Sequence, residues 1–149
     1  MKKVIVSNDH GAVELGKQIA EHLTDRGFEV HHIGVFTSDS VDYPDMAEKA
    51  CHEYLQGGYE FGVVCCGTGI GISIAANKID GIRCALPQNI FAATMAKSHN
   101  NVNFIAFGGR IAYPEPVLAM LDAYIDSPFE GDRHQTRVDK IMALQNSSC

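Results

Sequence analysis

The chain has 149 residues, which fits one domain around one core and leaves little room for a second. Its 46% hydrophobic and 20% charged residues are a globular balance and argue against disorder. The net charge is −6, with no basic run or basic–aromatic interleaving, which argues against a nucleic-acid partner. Any anionic ligand must then be held by a local cluster of cations. No apolar run approaches the roughly 20 residues that span a bilayer, and the start MKKVIVSNDHG lacks the apolar stretch of a secretory signal. The expectation is a cytoplasmic protein with no membrane partner.

Lys3 to Ser7 reads as a buried strand, followed by a helix over 11–26 with Leu15, Ile19 and Leu23 on one face. Gly27 stops that helix, and Phe28 to Ile33 reads as a second strand. Tyr43-Pro44 opens a helix that runs to about Leu55 and ends at Gly57-Gly58. Phe61 to Cys65 is a wholly apolar third strand, expected at the centre of a sheet. A glycine-rich turn from Gly67 to Gly71 leads into a helix from Ile70 to Lys78. Gly81 to Leu86 holds a fourth strand, 88–98 a helix, and Asn103 to Phe107 a fifth strand. Pro114 to Ile125 is a helix with Val117, Leu121 and Ile125 aligned. Asp132 to about Gln145 is a final helix, amphipathic through Val138, Ile141 and Met142. It is either an arm that embraces a partner subunit or a helix packed on its own domain.

Alternating strands and helices imply right-handed βαβ units. The predicted fold is a three-layer α/β/α Rossmann-like single domain over 1–149, with a five-stranded parallel sheet and a C-terminal helical arm. Such sheets bind ligands at the carboxyl ends of strands where the order reverses. In a 2-1-3-4-5 order that point lies between strands one and three, where Asp9-His10 and Cys66-Gly67 meet.

The strongest chemical feature is CGTGIG, Cys66 to Gly71, between a buried strand and a helix. Glycines admit a ligand close to the backbone, and a helix start offers free N–H groups. The segment lacks a P-loop lysine, and its glycines fall two apart, so a nucleotide cradle fits poorly. The better reading has the amides holding an oxyanion beside Cys66, with the thiol ionised as base or nucleophile. The competing reading, about equally weighted, is a small core residue at a tight turn. Cys65 alternates to the other side of the strand, Cys51 and Cys84 sit in core patterns, and Cys149 is a terminal thiol with no role assigned. Five cysteines without regular spacing, no CxxC and no HExxH speak against a disulfide framework or structural zinc. Asp9-His10 suits a sugar hydroxyl and a phosphate, though such pairs are common in loops. His99-Asn100 is equally weak as an isolated dipeptide, since Asn often ends helices in the left-handed conformation. Arg133 and Arg137, four apart with His134 between them, project two guanidiniums from one helical face, as a phosphate dianion needs. The alternative is a solvated face ion-paired to Glu130, Asp132 or Asp139. Arg110 follows Gly108-Gly109 at the end of strand five.

Together these segments resemble the ribose-5-phosphate isomerase B family, which includes galactose-6-phosphate isomerase subunits and allose-6-phosphate isomerase. The likeness comprises SNDHGA, DYPD, CGTGIGISIAANK, GIR, HNNVN, FGGR and FEGDRHQTRV, in family order along nearly the whole chain. The resemblance implies a metal-free aldose–ketose isomerase without a cofactor, acting on a phosphorylated sugar of the ribose 5-phosphate type. It implies Cys66 as proton-shuttling base, with Thr68 and the amides of Gly67, Gly69, Ile70 and Gly71 holding the enediolate. It implies His99 as ring opener and Asp9 and Asn100 on hydroxyls. His10, Arg110, Arg133 and Arg137 would hold the phosphate, with His134 nearby and Tyr43 lining the pocket. The chain departs from the family at 86–91 and at 97–103, where Lys97-Ser98-His99-Asn100-Asn101-Val102-Asn103 replaces Arg-x-His-Asn-Asp-Ala-Asn. These changes flank the ring opener and bear on which sugar phosphate is used.

Cys66 is expected at a carboxyl end of the sheet and His99 just before strand five, at the other edge, about 17–20 Å away. That separation predicts a site shared across a two-fold interface, in a homodimer or a tetramer built from dimers. Competing functions are isomerisation of an allose, galactose or tetrose phosphate, non-catalytic binding of a sugar phosphate, and a redox pair of Cys65 and Cys66.

Overall fold

A computed structural model of the chain describes residues 1–147; Cys149 lies outside them. Five parallel strands form one sheet: β1 (Lys3–Asn8), β2 (Glu29–His32), β3 (Tyr59–Cys66), β4 (Cys84–Ala85) and β5 (Phe104–Gly108). The helices are α1 (Val13–Asp25), α2 (Tyr43–Leu55), α3 (Ile70–Asn77), α4 (Ile90–Ser98), α5 (Val117–Asp126) and α6 (Arg133–Ala143). A single 3-10 turn, His10–Ala12, delays the start of α1 to Val13. Among the described residues no helix is long and apolar enough to cross a membrane.

The chain packs as two compact units. The first, 1–86 with 103–112, contains the whole sheet with α1, α2 and α3, a three-layer Rossmann-like arrangement. One sheet face, with Ile5, Val64, Cys66, Phe104 and Ala106, packs against Met46, Ala47, Ala50 and Cys51 of α2 and Ile72 and Ala76 of α3. Helix α1 packs on β1 and β2 through Ile19 and Leu23. The second unit, 87–102 with 113–149, contains α4, α5 and α6. Helices α4 and α5 pack together, and Tyr124 Oη donates to the Val102 carbonyl at 2.7 Å. Helix α6 buries His134 and Val138 and leaves Ile141 exposed.

The strand order is β2-β1-β3-β5-β4, not 2-1-3-4-5. The exchange follows burial. All five residues of β5 are buried and take the interior place beside β3. The expected fourth strand shrinks to Cys84–Ala85, both half-buried, at the edge. Side chains do the work of the missing ladder. Asn103 Oδ1 accepts from the Arg83 amide and its Nδ2 donates to the Gly81 carbonyl, both at 2.8 Å. Asn77 bonds both the amide and the carbonyl of Cys84, at 2.8 and 2.9 Å, covering the open edge.

Gly62 lies under the Phe104 ring, where any Cβ would collide with ring carbons. Gly62→Ala is therefore expected to cost about 1–3 kcal/mol by overpacking, read as a lower urea midpoint. An unchanged midpoint would show that Phe104 shifts without penalty.

Candidate active site

Three loops leave the carboxyl ends of β1, β3 and β5 and interlock. The Asp9 amide donates to the Cys65 carbonyl at 3.0 Å. The Gly109 and Arg110 amides donate to the Cys66 and Gly67 carbonyls, each at 2.8 Å. The loops touch through glycine. A Cβ on Gly11 would lie 2.9 Å from the Gly67 nitrogen, and one on Gly109 would lie 2.6 Å from the Gly11 oxygen. Placing β5 beside β3 brings Arg110 to this crevice: its Nη1 would be 3.4 Å from a Cβ on Gly67. The expected order would have put β4 in between.

Cys66 closes β3 and is 4% exposed, with the Gly69 amide donating to its Sγ at 3.2 Å. Gly69 holds φ +77°, and a Cβ there would meet Leu86 and the backbone of Phe107 and Gly108, so only glycine turns the amide this way. Thr68 is exposed, and its Oγ1 accepts from the Ile70 amide at 3.1 Å. Ile70 is half-exposed at the start of α3, where first-turn amides, Gly71 among them, have no intrahelical carbonyl to bond. Gly71 lets the Tyr43 ring lie against it; any Cβ would strike that ring. Asp9 is buried and accepts from the Gly11 amide at 2.8 Å. His10 Nδ1 accepts from the Val41 amide at 3.1 Å, which puts the proton of the neutral ring on Nε2. Arg110 is exposed. Cys51, Cys65, Cys66 and Cys84 are all free thiols. Burial pushes Cys51 up to about 12 and raises Cys65 and Cys84 further, so these three stay protonated. A groove of about 570 Å³ beside the start of α2 is lined by Asp42, Asp45 and Glu48 against the single cation Lys49, with His52, a mainly acidic wall; Cys66, Thr68 and Arg110 do not line it.

In the second unit, His99 caps the C-terminus of α4, and the left-handed residue beyond it is Asn101 (φ +43°), not Asn100. The His99 and His134 rings stack with centroids 4.0 Å apart and planes at 11°. Glu130 lies across both: its Oε2 is 3.4 Å from His99 Nε2 and its Oε1 is 3.7 Å from His134 Nε2. The three ligating atoms lie within 4.8 Å of one another, but near-parallel rings aim their lone pairs side by side rather than at one metal. Arg133 and Arg137 are exposed, and among the described residues neither has an ion-pair partner. Glu130 faces the histidines instead, and Asp139 bonds Gln135 at 2.7 Å. The sequence offered Glu130 only as a candidate partner for the arginines. Its place four residues before His134 was the available signal for this arrangement. The 86–91 departure includes a cap: Asn89 Oδ1 accepts from the Ala92 amide at 2.8 Å.

Burial lowers the His134 pKa, and His99, Arg133 and Arg137 add to the effect while Glu130 opposes it. The folded state therefore prefers neutral His134. Stability is full above about 6.5, the unfolded-state value, and declines as pH falls below it, because the unfolded chain takes up the proton first. His32, also lowered by burial, acts in the same sense. His134→Gln should give a shallower fall in melting temperature between pH 7 and 5 than the parent; an equal slope would contradict this.

The chain matches the Ribose/Galactose Isomerase family over residues 4–141. It is 39% identical to ribose-5-phosphate isomerase B of Escherichia coli (strain K12) over 145 residues, 97% of each chain. It is 34% identical to D-erythrulose-4-phosphate isomerase of Pectobacterium atrosepticum, covering 95% of this chain and 93% of that one. The structure of Clostridium thermocellum ribose-5-phosphate isomerase B superposes with a TM-score of 0.92 at 41% identity, over 97% of both chains. The chain belongs to the ribose/galactose isomerase family and is a sugar-phosphate isomerase, an enzyme that interconverts an aldose and a ketose.

Proposed function

We propose that the chain interconverts ribose 5-phosphate and ribulose 5-phosphate through an enediolate, with Cys66 as the base. The observation that carries this reading is the Gly69 amide aimed at the Cys66 sulfur at 3.2 Å. That N–H fixes the sulfur beside the free amides at the start of α3, within one turn of the donors that would hold the substrate oxygens. The thiolate takes the proton from one carbon and returns it to its neighbour, and base catalysis of this kind is worth roughly 10²–10⁴ in rate. Thr68 and the amides from Gly67 to Gly71 hold the enediolate oxygens, at about 3 kcal/mol for each oxyanion donor. His99 opens the sugar ring, and Asp9 and Asn100 hold hydroxyls. His10, Arg110, Arg133 and Arg137 grip the phosphate, with His134 beside them and Tyr43 as a wall. The guanidiniums of Arg133 and Arg137, exposed and without ion-pair partners among the described residues, support that role. The phosphate supplies binding energy used for orientation.

The second reading is a tetrose phosphate substrate. The name of the Pectobacterium atrosepticum relative and the departures at 86–91 and 97–103 favour it. We also propose that the site is shared in a homodimer. Asn103 stands at the amino end of the sheet, where its carbonyl accepts from the Gly62 amide. Cys66 ends the same strand four residues beyond Gly62, and His99 precedes Asn103 by four.

Cys66→Ala or Cys66→Ser should lower turnover at least about a hundredfold while leaving sugar-phosphate binding largely intact. Near-normal turnover would reject Cys66 as the base. A panel of four-, five- and six-carbon aldose phosphates, followed by NMR of aldehyde and ketone signals after EDTA, should show the pentose turned over fastest. A faster tetrose would establish the second reading. Mixing Cys66→Ala with His99→Ala subunits should restore part of the activity; exchanged heterodimers that stay inactive would place both residues in one subunit's site.

A further inference from the structure

His99, Glu130 and His134 form a cluster whose carboxylate has no role in the mechanism above. Glu130 is tied to the end of α4 twice. Its amide donates to the Ser98 carbonyl at 3.0 Å, and its Oε2 stands 3.4 Å from His99 Nε2. The turn that carries it is strained. Gly131 has φ +69°, and Asp132, a non-glycine residue, has φ +48° with ψ −122°. Backbone held in such a conformation persists where the surroundings over-determine it, often at functional sites. His134 lies behind, 5% exposed and stacked on the His99 ring, and its Nε2 has no hydrogen-bond partner. Glu130 thus places one carboxylate oxygen within 4 Å of each Nε2, while His99 remains about one-third exposed.

We propose that Glu130 is a positioning residue for ring opening, which holds the His99 imidazole with Nε2–H directed at its carboxylate and Nδ1 turned to the sugar. The proposal rests on the reading of His99 as ring opener. A carboxylate beside an imidazole fixes its tautomer and stabilises the imidazolium formed when it takes a proton. The separation of 3.4 Å is long for a charge-assisted hydrogen bond, and such contacts commonly shorten when substrate binds. In the step itself, Nδ1 removes the proton of the anomeric hydroxyl. The C1–O4 bond breaks as the C1 carbonyl forms, and the same proton passes to O4. Nothing is oxidised or reduced. His134, packed flat against the ring, prevents it from turning away from the carboxylate.

The test separates ring opening from proton transfer at carbon. Ribulose 5-phosphate cannot close a five-membered ring, because its C5 oxygen carries the phosphate. Exchange of its C1 proton with D₂O therefore needs the Cys66 base and no ring opening. The readout is the ratio of ribose 5-phosphate turnover to this exchange, both followed by NMR. His99→Ala sets the reference and should lower the ratio at least a hundredfold. Glu130→Gln should lower it about tenfold, through kcat with KM little changed, and Glu130→Ala should fall further and recover in added formate. If both Glu130 variants keep the parental ratio while His99→Ala loses it, the positioning role is overturned and the ring-opening reading stands. A parallel loss of turnover and exchange in the Glu130 variants would likewise overturn the proposal, since it marks a structural role alone. If His99→Ala keeps the ratio, the ring-opening reading itself fails, and the role of Glu130 fails with it.

Discussion

An amide donated to a sulfur at the end of a buried strand is the contact on which the catalytic reading rests. Cys66 sits where β3 stops and α3 has not begun, and the Gly69 amide reaches back to its Sγ. That reach needs a left-handed residue pressed against Leu86 and the backbone after Phe107, so the geometry is written into one glycine. The neighbouring thiols set the contrast. Cys65, one residue earlier, faces the opposite side of the sheet in full burial, which keeps its proton on. Two adjacent cysteines thus face opposite sides of the sheet because side chains alternate along a strand, and the Gly69 amide reaches only Cys66.

The interlocked loops extend the same constraint. Strand β5 lies beside β3, so its trailing Gly109-Arg110 hydrogen-bonds to the Cys66-Gly67 backbone and delivers a cation next to the sulfur-bearing turn. Glycines at 11 and 109 allow the three loops to pass within backbone contact. A side chain at either would push the loops apart, and the acid, the thiol and the cation would separate.

Much of this was legible in the residues. The alternation of β-branched runs with helical faces gave the elements, and the αβ alternation gave a parallel sheet reversing between strands one and three. Helix α2 begins at Tyr43 and ends at Leu55, as the Tyr43-Pro44 start and the glycine pair indicate. The position of the fourth strand was not legible. Gly81 to Leu86 carries a strand's composition, but only two of its residues pair, because Asn77 and Asn103 side chains take over the bonding. Such long-range side-chain substitution leaves no periodic trace. The Glu130 carboxylate was hidden for a related reason. Charged residues around RHQTR offered several partners, and only the fold of the turn at Gly131-Asp132 decides that Glu130 faces the histidines and not the arginines.

The central claim is that the Cys66 sulfur performs the chemistry at carbon. Alkylation by iodoacetamide, followed by peptide mass spectrometry and residual turnover on the same samples, addresses it most directly. Loss of activity should track modification of Cys66, and a saturating sugar phosphate should slow both together. Activity that survives complete modification of Cys66, or vanishes while Cys66 is intact, would contradict it.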